Sequence, residues 1–186
     1  LNDMRKTIAS FAVLLALAGC TQEQQNKLGR DIQNWTGTNG VLVPPPGYLP
    51  GVRALADKYG IVIIADEVMV GFGRTGEWFA YQGFDLRPDL VTFAKGVNSG
   101  YVPLGGVVIS EAIHNTFAKT PFPGGLTYSG HPLACASGVA TFDIFEEEQI
   151  LERVNDLGSR VVEPRLRELA AKHPSVGEFR GKGLFW

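Results

Sequence analysis

Two short apolar runs, each ending in an ionisable residue of opposite sign, constrain this chain most: Ile61 to Ala65 leads into Asp66, and Leu90 to Ala94 leads into Lys95. Each run is too short for an ordinary helix and is rich in β-branched or aromatic side chains, the pattern of a strand buried on both faces in a parallel sheet. Ligands of open α/β sheets sit outside the carboxyl ends of such strands. A carboxylate and an amine delivered to one sheet edge can hold opposite sides of a single cofactor.

The length, 186 residues, suffices for one sizeable core and the start of a second unit. A net charge of -2, with no lysine or arginine block, gives no electrostatic reason to expect a nucleic-acid surface. Cys20 and Cys135 lack CxxC spacing, and His114, His131 and His173 are scattered, so neither a disulfide framework nor a metal site is expected. Glycines and prolines cluster between the apolar runs, which suits loops that approach a ligand closely.

The first twenty residues have the layout of a secretory signal. Arg5 and Lys6 follow Met4, an uncharged apolar stretch runs from Ile8 to Gly19, and Cys20 precedes a polar segment. The stretch is shorter than the roughly 20 residues needed to span a bilayer but matches a signal-peptide h-region. Leu17-Ala18-Gly19-Cys20 resembles the lipobox of bacterial lipoproteins, which implies acylation at Cys20 and a membrane contact through that lipid alone. The other reading of the stretch is a buried N-terminal helix, against which stands its lack of amphipathicity. Residues 21–36 are polar and rich in glutamine and asparagine, and are expected to act as a tether. From Gly37 onward apolar runs alternate with glycine-rich turns.

Within this globular part, the Val43-to-Tyr48 proline run predicts a rigid turn. Val52, Leu55, Ala56 and Tyr59 recur at helical spacing, with Gly60 placed as a C-terminal cap. Gly106 to Ile109 reads as a further strand, Ser110 opens a helix to Lys119, and His131-Pro132 starts another. A long amphipathic segment from Ile150 to about Lys172 should kink or divide at Pro164. The last residues, Gly181 to Trp186, read as the beginning of a strand, so the chain is expected to be a truncated piece of a longer protein.

Gly71-Phe72-Gly73-Arg74-Thr75-Gly76 fits G-x-G-x-x-G, but Asp66 to Val70 intervenes after the strand and bulky Glu77-Trp78-Phe79 follows. A dinucleotide fingerprint needs its glycines directly at the strand-to-helix turn, so an ordered active-site loop explains them better. Lysines are ordinarily solvated surface groups. Lys95, however, follows a buried-looking strand, and a glycine-rich loop leaves room for a ligand; a lysine partly desolvated there is competent for imine formation. Asp66 reads either as a helix cap or structural ion pair, or as a carboxylate paired with a protonated pyridine nitrogen. Cys135, in an alanine-rich helix, reads as a small buried residue, and Arg74 as catalytic or as part of an ion pair.

The stretch from Gly37 to Trp186 resembles the class III (ω-) aminotransferases of the fold-type I pyridoxal phosphate enzymes. The resemblance rests on GTNGVLVPPPGY, IADEVMVGFGRTGEWFA, PDLVTFAKG, PLGGVVIS and the TYSGHPLACA run that begins at Thr127. It implies an α/β fold: a partial large domain over residues 37–149, with a mostly parallel sheet and flanking helices, and the start of a small domain over 150–186. It further implies pyridoxal 5'-phosphate as cofactor, Lys95 as its covalent attachment and proton shuttle, and Asp66 on the ring nitrogen. Val68 would pack on a ring face, and Thr127 would bind the phosphate of the neighbouring subunit in a homodimer. His131 and Pro132 would shape a helix start.

The implied reaction moves an amino group from an amine or ω-amino acid to a 2-oxo acid such as pyruvate, in the cytoplasm. Gln33-Asn34-Trp35-Thr36 stands where the family would supply a Glu-Pro pair, and the family's phosphate loop has no counterpart, so this piece is expected to be a poor catalyst. Two other readings remain: an exported lipid-anchored protein with a non-catalytic binding or structural module, and a nicotinamide-dependent oxidoreductase using GFGRTG.

Overall fold

The computed structural model describes residues 41 and 43–186, together with the backbone pairing of Ile8 and Ala9. Cys20, the rest of the signal-like segment and the 21–36 tether lie outside the described residues. The proline run closes a turn in which the Tyr48 N–H donates to the Pro45 carbonyl (3.1 Å), and helix α1, Tyr48–Tyr59, starts at once. This is earlier than the spacing from Val52 predicts, because Pro50 falls in the first turn, where its missing N–H breaks no helical bond. The earlier start also shifts the buried stripe. Leu49, Val52 and Ala56 are buried, whereas Leu55 and Tyr59, on the rim of that stripe, are 39% and 52% exposed. Gly60 ends the helix as expected: at φ 63° it takes the left-handed conformation that glycine tolerates without steric cost.

The sheet has the order β1 (Ile8–Ala9), β2 (Val62–Asp66), β3 (Leu90–Phe93), β4 (Gly106–Ile109). The first three strands are parallel, and β4 runs antiparallel to β3, so an α/β architecture with a mostly parallel sheet is present. Ile63, Ile64 and Ala65 are buried as the sequence predicts. In β3 only Val91 is buried, which corrects the expectation of a strand enclosed on both faces. The core of Leu49, Val52, Ala56, Ile61, Ile63 and Leu86 gathers over β2, and β3 lies one strand further out.

Parallel neighbours need a crossover connection. Here residues 67–89 supply it as a glycine-rich turn and a 3-10 turn at Ala80–Phe84 rather than an α-helix. After β4, Ser110 caps α2, Glu111–Phe117, by accepting a hydrogen bond from the Ile113 N–H (3.4 Å); the helix stops short of Lys119. Helix α3 spans Pro132–Glu147, with proline in its first turn as predicted. Its buried residues are Ala134 and Gly138, while Cys135 is exposed, because the small side chains of this helix leave only a narrow contact stripe.

The long amphipathic segment is divided, as Pro164 requires, into α4 (Ile150–Leu157) and α5 (Glu163–Lys172). The break is a widened π turn at Gly158–Val162, which precedes the proline and removes the clash of its ring with the carbonyl four residues back. The last residues do not begin a strand. Lys182 and Phe185 exchange backbone hydrogen bonds (2.9 and 3.0 Å) around Gly183 at φ 61°, a tight turn tied by the Leu184 N–H to the Arg74 carbonyl (2.9 Å). No described helix is long and apolar enough to cross a membrane.

One polar node fixes the amino ends of β2 and β3. The Asp89 carboxylate accepts from Arg53 Nη1 (2.8 Å) and from the Ile63 N–H (2.7 Å), and Arg53 also pairs with Asp57 one turn along α1 (2.6 Å). Arg53 is only 14% exposed, so losing its main partner leaves a largely buried charge. Replacing Asp89 with Ala should lower unfolding free energy by about 2 kcal/mol, from an orphaned N–H and a broken charged pair. Urea denaturation measures this, and a midpoint equal to wild type would show that the node carries no stability.

Candidate active site

The parallel register places Asp66 opposite Thr92, so β2 and β3 deliver their carboxyl ends to one edge of the sheet, with Lys95 just beyond Thr92. Asp66 is exposed. Its Oδ1 accepts from the Val68 N–H (3.1 Å) and from the Thr92 hydroxyl (3.3 Å), which orients the carboxylate and leaves Oδ2 without a partner among the described residues. Val68 is half-buried beside it.

Lys95 is also exposed and opens the 3-10 turn Lys95–Val97. Its φ of 41° lies in the left-handed region, which is costly for a residue with a Cβ. Gly96 and Val97 are buried beneath it. Gly96 admits no side chain, because an added Cβ would stand 2.6 Å from Phe72 Cβ and 3.1 Å from Arg74 Nη1. No carboxylate pairs with Lys95 among the described residues, and its exposure corrects the expectation of a partly desolvated lysine: the short turn buries Gly96 and Val97 and leaves the Lys95 side chain outside.

Thr127 occupies an exposed turn in which the Ser129 N–H donates to the Leu126 carbonyl (3.0 Å). No hydrogen bond or ion pair among the described residues joins it to Asp66, Val68 or Lys95. His131 precedes α3 and its carbonyl accepts from the Cys135 N–H (2.9 Å); its side chain makes no cap.

The glycine-rich loop is followed by the 3-10 turn Ala80–Phe84 rather than by an α-helix, unlike a dinucleotide fingerprint, whose glycines open a helix. The Phe72 N–H donates to the Trp78 carbonyl (2.6 Å) and the Gly73 N–H to the Glu77 carbonyl (3.2 Å), closing the loop on itself. The Phe72 ring meets Phe79, Phe93 and Phe142 edge-on, and Trp78 stacks on Phe145. These contacts fix the loop to β3 and α3. Arg74 donates to the Gly71 carbonyl (3.2 Å) and has no carboxylate partner among the described residues; burial pulls its pKa below the ordinary arginine value.

Glu67 is the residue that sequence reasoning overlooked. It adjoins Asp66 yet is only 1% exposed, and its carboxylate accepts from the Ala80 N–H (2.8 Å) and the Tyr81 N–H (2.9 Å). It thereby holds the start of the 3-10 turn against the end of β2. The only sequence signal is a carboxylate set between an apolar strand and the apolar Val68-Met69-Val70 run.

Burial pushes the Glu67 carboxyl upward, partly offset by those two backbone donors. A raised folded-state pKa contributes stability that is fully present below the ordinary glutamate value of about 4.3 and is lost as pH rises through the raised value. The urea midpoint of wild type minus that of Glu67→Gln should therefore fall as pH is raised from 4 to 7. A difference independent of pH would mean that Glu67 titrates alike in the folded and unfolded chain.

Comparison with known proteins extends these observations. The description "Aminotransferase class-III" matches residues 32–186, starting ahead of Gly37 and so including Gln33 to Thr36. A taurine–pyruvate aminotransferase of Bilophila wadsworthia is 42% identical over 160 residues, covering 83% of this chain and 35% of that protein. A putrescine–pyruvate aminotransferase of Pseudomonas aeruginosa is 47% identical over 149 residues, covering 80% and 32%. The solved taurine:2-oxoglutarate aminotransferase of Bifidobacterium kashiwanohense, in complex with PLP and glutamate, superposes with a TM-score of 0.77 at 54% identity, over 79% of this chain and 33% of that one. The chain thus spans about one third of the length of these relatives. The family match over residues 32–186 and the likeness to these aminotransferases show that the chain belongs to the class III aminotransferases, of fold-type I.

Proposed function

We propose that this chain carries part of the active site of a pyridoxal 5'-phosphate-dependent aminotransferase that moves an amino group from an amine or ω-amino acid to a 2-oxo acid such as pyruvate. The observation that supports it most is the placing of Asp66 and Lys95 at one sheet edge by the β2–β3 register. The donor set fits the cofactor: one unpartnered carboxylate oxygen suits a protonated ring nitrogen, and one unpaired amine suits a carbonyl carbon. Bound there, the cofactor would act as an electron sink for the charge that develops on the substrate carbon.

Asp66 would hold a protonated ring nitrogen: its Oδ1 is already fixed by Val68 and Thr92, which leaves Oδ2 for that contact. Lys95 Nζ would hold the cofactor covalently, and the same amine would serve as the group that takes up and returns the proton of the substrate carbon. Val68 would cover a ring face. Thr127 would supply a hydroxyl to the phosphate of a neighbouring subunit in a homodimer. In support, Thr127 stands among residues exposed in the single chain, including Leu126 and Tyr128, each 80% exposed.

Borohydride reduction after mixing the full chain with pyridoxal 5'-phosphate, followed by peptide mass spectrometry, tests this assignment. Label should concentrate on Lys95 over the exposed Lys58 and Lys172, vanish from that peptide in Lys95→Ala, and fall roughly tenfold in Asp66→Ala, as expected for loss of a charged hydrogen bond. Label spread evenly over the lysines would sink the assignment.

A second reading concerns the first residues: export and lipid attachment at Cys20, which would put the protein at a membrane surface rather than in the cytoplasm of an ordinary aminotransferase. The basic, apolar and Leu17-Ala18-Gly19-Cys20 elements stand in the right order for it. The pairing of Ile8–Ala9 with β2 is a competing use of the same stretch, which cleavage before Cys20 would remove. Radiolabelled palmitate supplied to bacteria making the full chain should be incorporated and lost in Cys20→Ser; no incorporation in the wild type would leave the stretch to the sheet.

A further inference from the structure

We infer that Asn98 is a positioning residue for Lys95, an inference that rests on the reading of Lys95 as the cofactor's attachment point. Asn98 is 2% exposed, and its carboxamide is nearly saturated. Nδ2 donates to the Val102 carbonyl (2.6 Å) and to Ser137 Oγ (2.9 Å), and Oδ1 accepts from the Gly100 N–H (3.2 Å). Ser137 passes the connection on to the Ala134 carbonyl (2.7 Å), so one side chain ties the loop after Lys95 to itself and to the first turns of α3. Nothing in the sequence distinguishes this asparagine from a turn residue.

The segment it holds does not adopt its shape from local preference. Lys95 and Ser99 both have left-handed φ, 41° and 54°, and residues with a Cβ persist there only when their surroundings over-determine them. Packing supplies part of that constraint, since Val97 is 3% exposed and Gly96 abuts Phe72 and Arg74. Packing under Gly96 and Val97 resists displacement of the turn toward the core but not its unwinding toward solvent. The Asn98 bonds close that second route, because unwinding must strip a buried amide of both acceptors. With the carboxamide gone, Lys95 can relax to negative φ and swing its amine away from the edge that holds Asp66.

Two readouts on the full chain separate the steps. Hydrogen–deuterium exchange of the peptides covering residues 95–102 reports whether Asn98 holds the turn. Borohydride trapping with pyridoxal 5'-phosphate, read as Lys95 label relative to Lys172 label in the same molecule, reports whether the turn matters to the amine. Asn98→Ala should speed exchange and lower the Lys95-to-Lys172 ratio by at least roughly fivefold each, the change expected on losing one net hydrogen bond. Ser137→Ala, which removes only one partner, should give a smaller change of the same sign and carries the test if Asn98→Ala does not fold.

Unchanged exchange overturns the inference. Faster exchange with an unchanged labelling ratio also overturns it, leaving Asn98 a structural residue. A wild-type ratio near one fails in the unsubstituted chain, before any variant is made, and refutes the assignment of Lys95 together with the role of Asn98.

Discussion

The register of β2 against β3 is the constraint on which the rest of the site depends. Side chains alternate along a strand, so a slip of one residue would turn Asp66 to the other face and carry the buried Ile63 and Ala65 with it. Hydrogen bonds guard both ends of the pairing. At the amino end Asp89 takes the Ile63 N–H and the Arg53 guanidinium. At the carboxyl end the Thr92 hydroxyl reaches Asp66, and the Glu67 N–H reaches the Thr92 carbonyl (2.9 Å). The Asp66 carboxylate is therefore set by the same bonds that set the sheet.

Polar groups next to this edge are satisfied by backbone rather than by opposite charges. Glu67 is buried with two N–H donors and, among the described residues, no cation, and Arg74 is half-buried against a carbonyl. An ion pair between two such groups would take both away from the segments that they hold. As built, Glu67 anchors the 3-10 turn and Arg74 braces the Gly71 turn beside Gly96, while aromatic contacts from Phe72 and Trp78 fix the loop between them. The Asp66 and Lys95 side chains then stand on this frame without charged partners among the described residues, an arrangement that would suit a charge-stabilising site.

What the sequence made legible follows from how local each signal is. The ends of β2 and β3, the Gly60 cap, the Ser110 cap and the Pro164 break depend on a few neighbouring residues and were readable. Burial depends on what lies across the fold, which periodicity does not report: Leu55, Tyr59 and Cys135 fit an apolar face and stay exposed, and β3 is half-open. The C-terminal residues read as a strand because the apolar Leu-Phe-Trp run outweighs Gly183, whose φ of 61° turns the chain back on itself. The placing of Asp66 and Lys95 at one sheet edge was readable, because each ends a short apolar run. Glu67 bonds to backbone 13 to 14 residues away, and Asn98 joins its local bonds to Gly100 and Val102 with one to Ser137, 39 residues away; no local pattern announces these long-range partners.

The two ends of a bound ring would thus be set by forces of different strength. Asp66 is fixed by a ladder of backbone pairs whose loss means loss of the sheet, while Lys95 depends on a loop whose conformation is intrinsically unfavourable and is maintained by side chains. Substitutions around residues 96–102 can therefore move the amine without moving the carboxylate, whereas changes in β2 disturb both. That asymmetry suits the chemistry. A ring nitrogen needs a fixed counter-charge throughout, but an amine that binds a carbon, releases it and then carries a proton must travel. A site built on a rigid strand end and a clamped turn gives each group the mobility that its task requires.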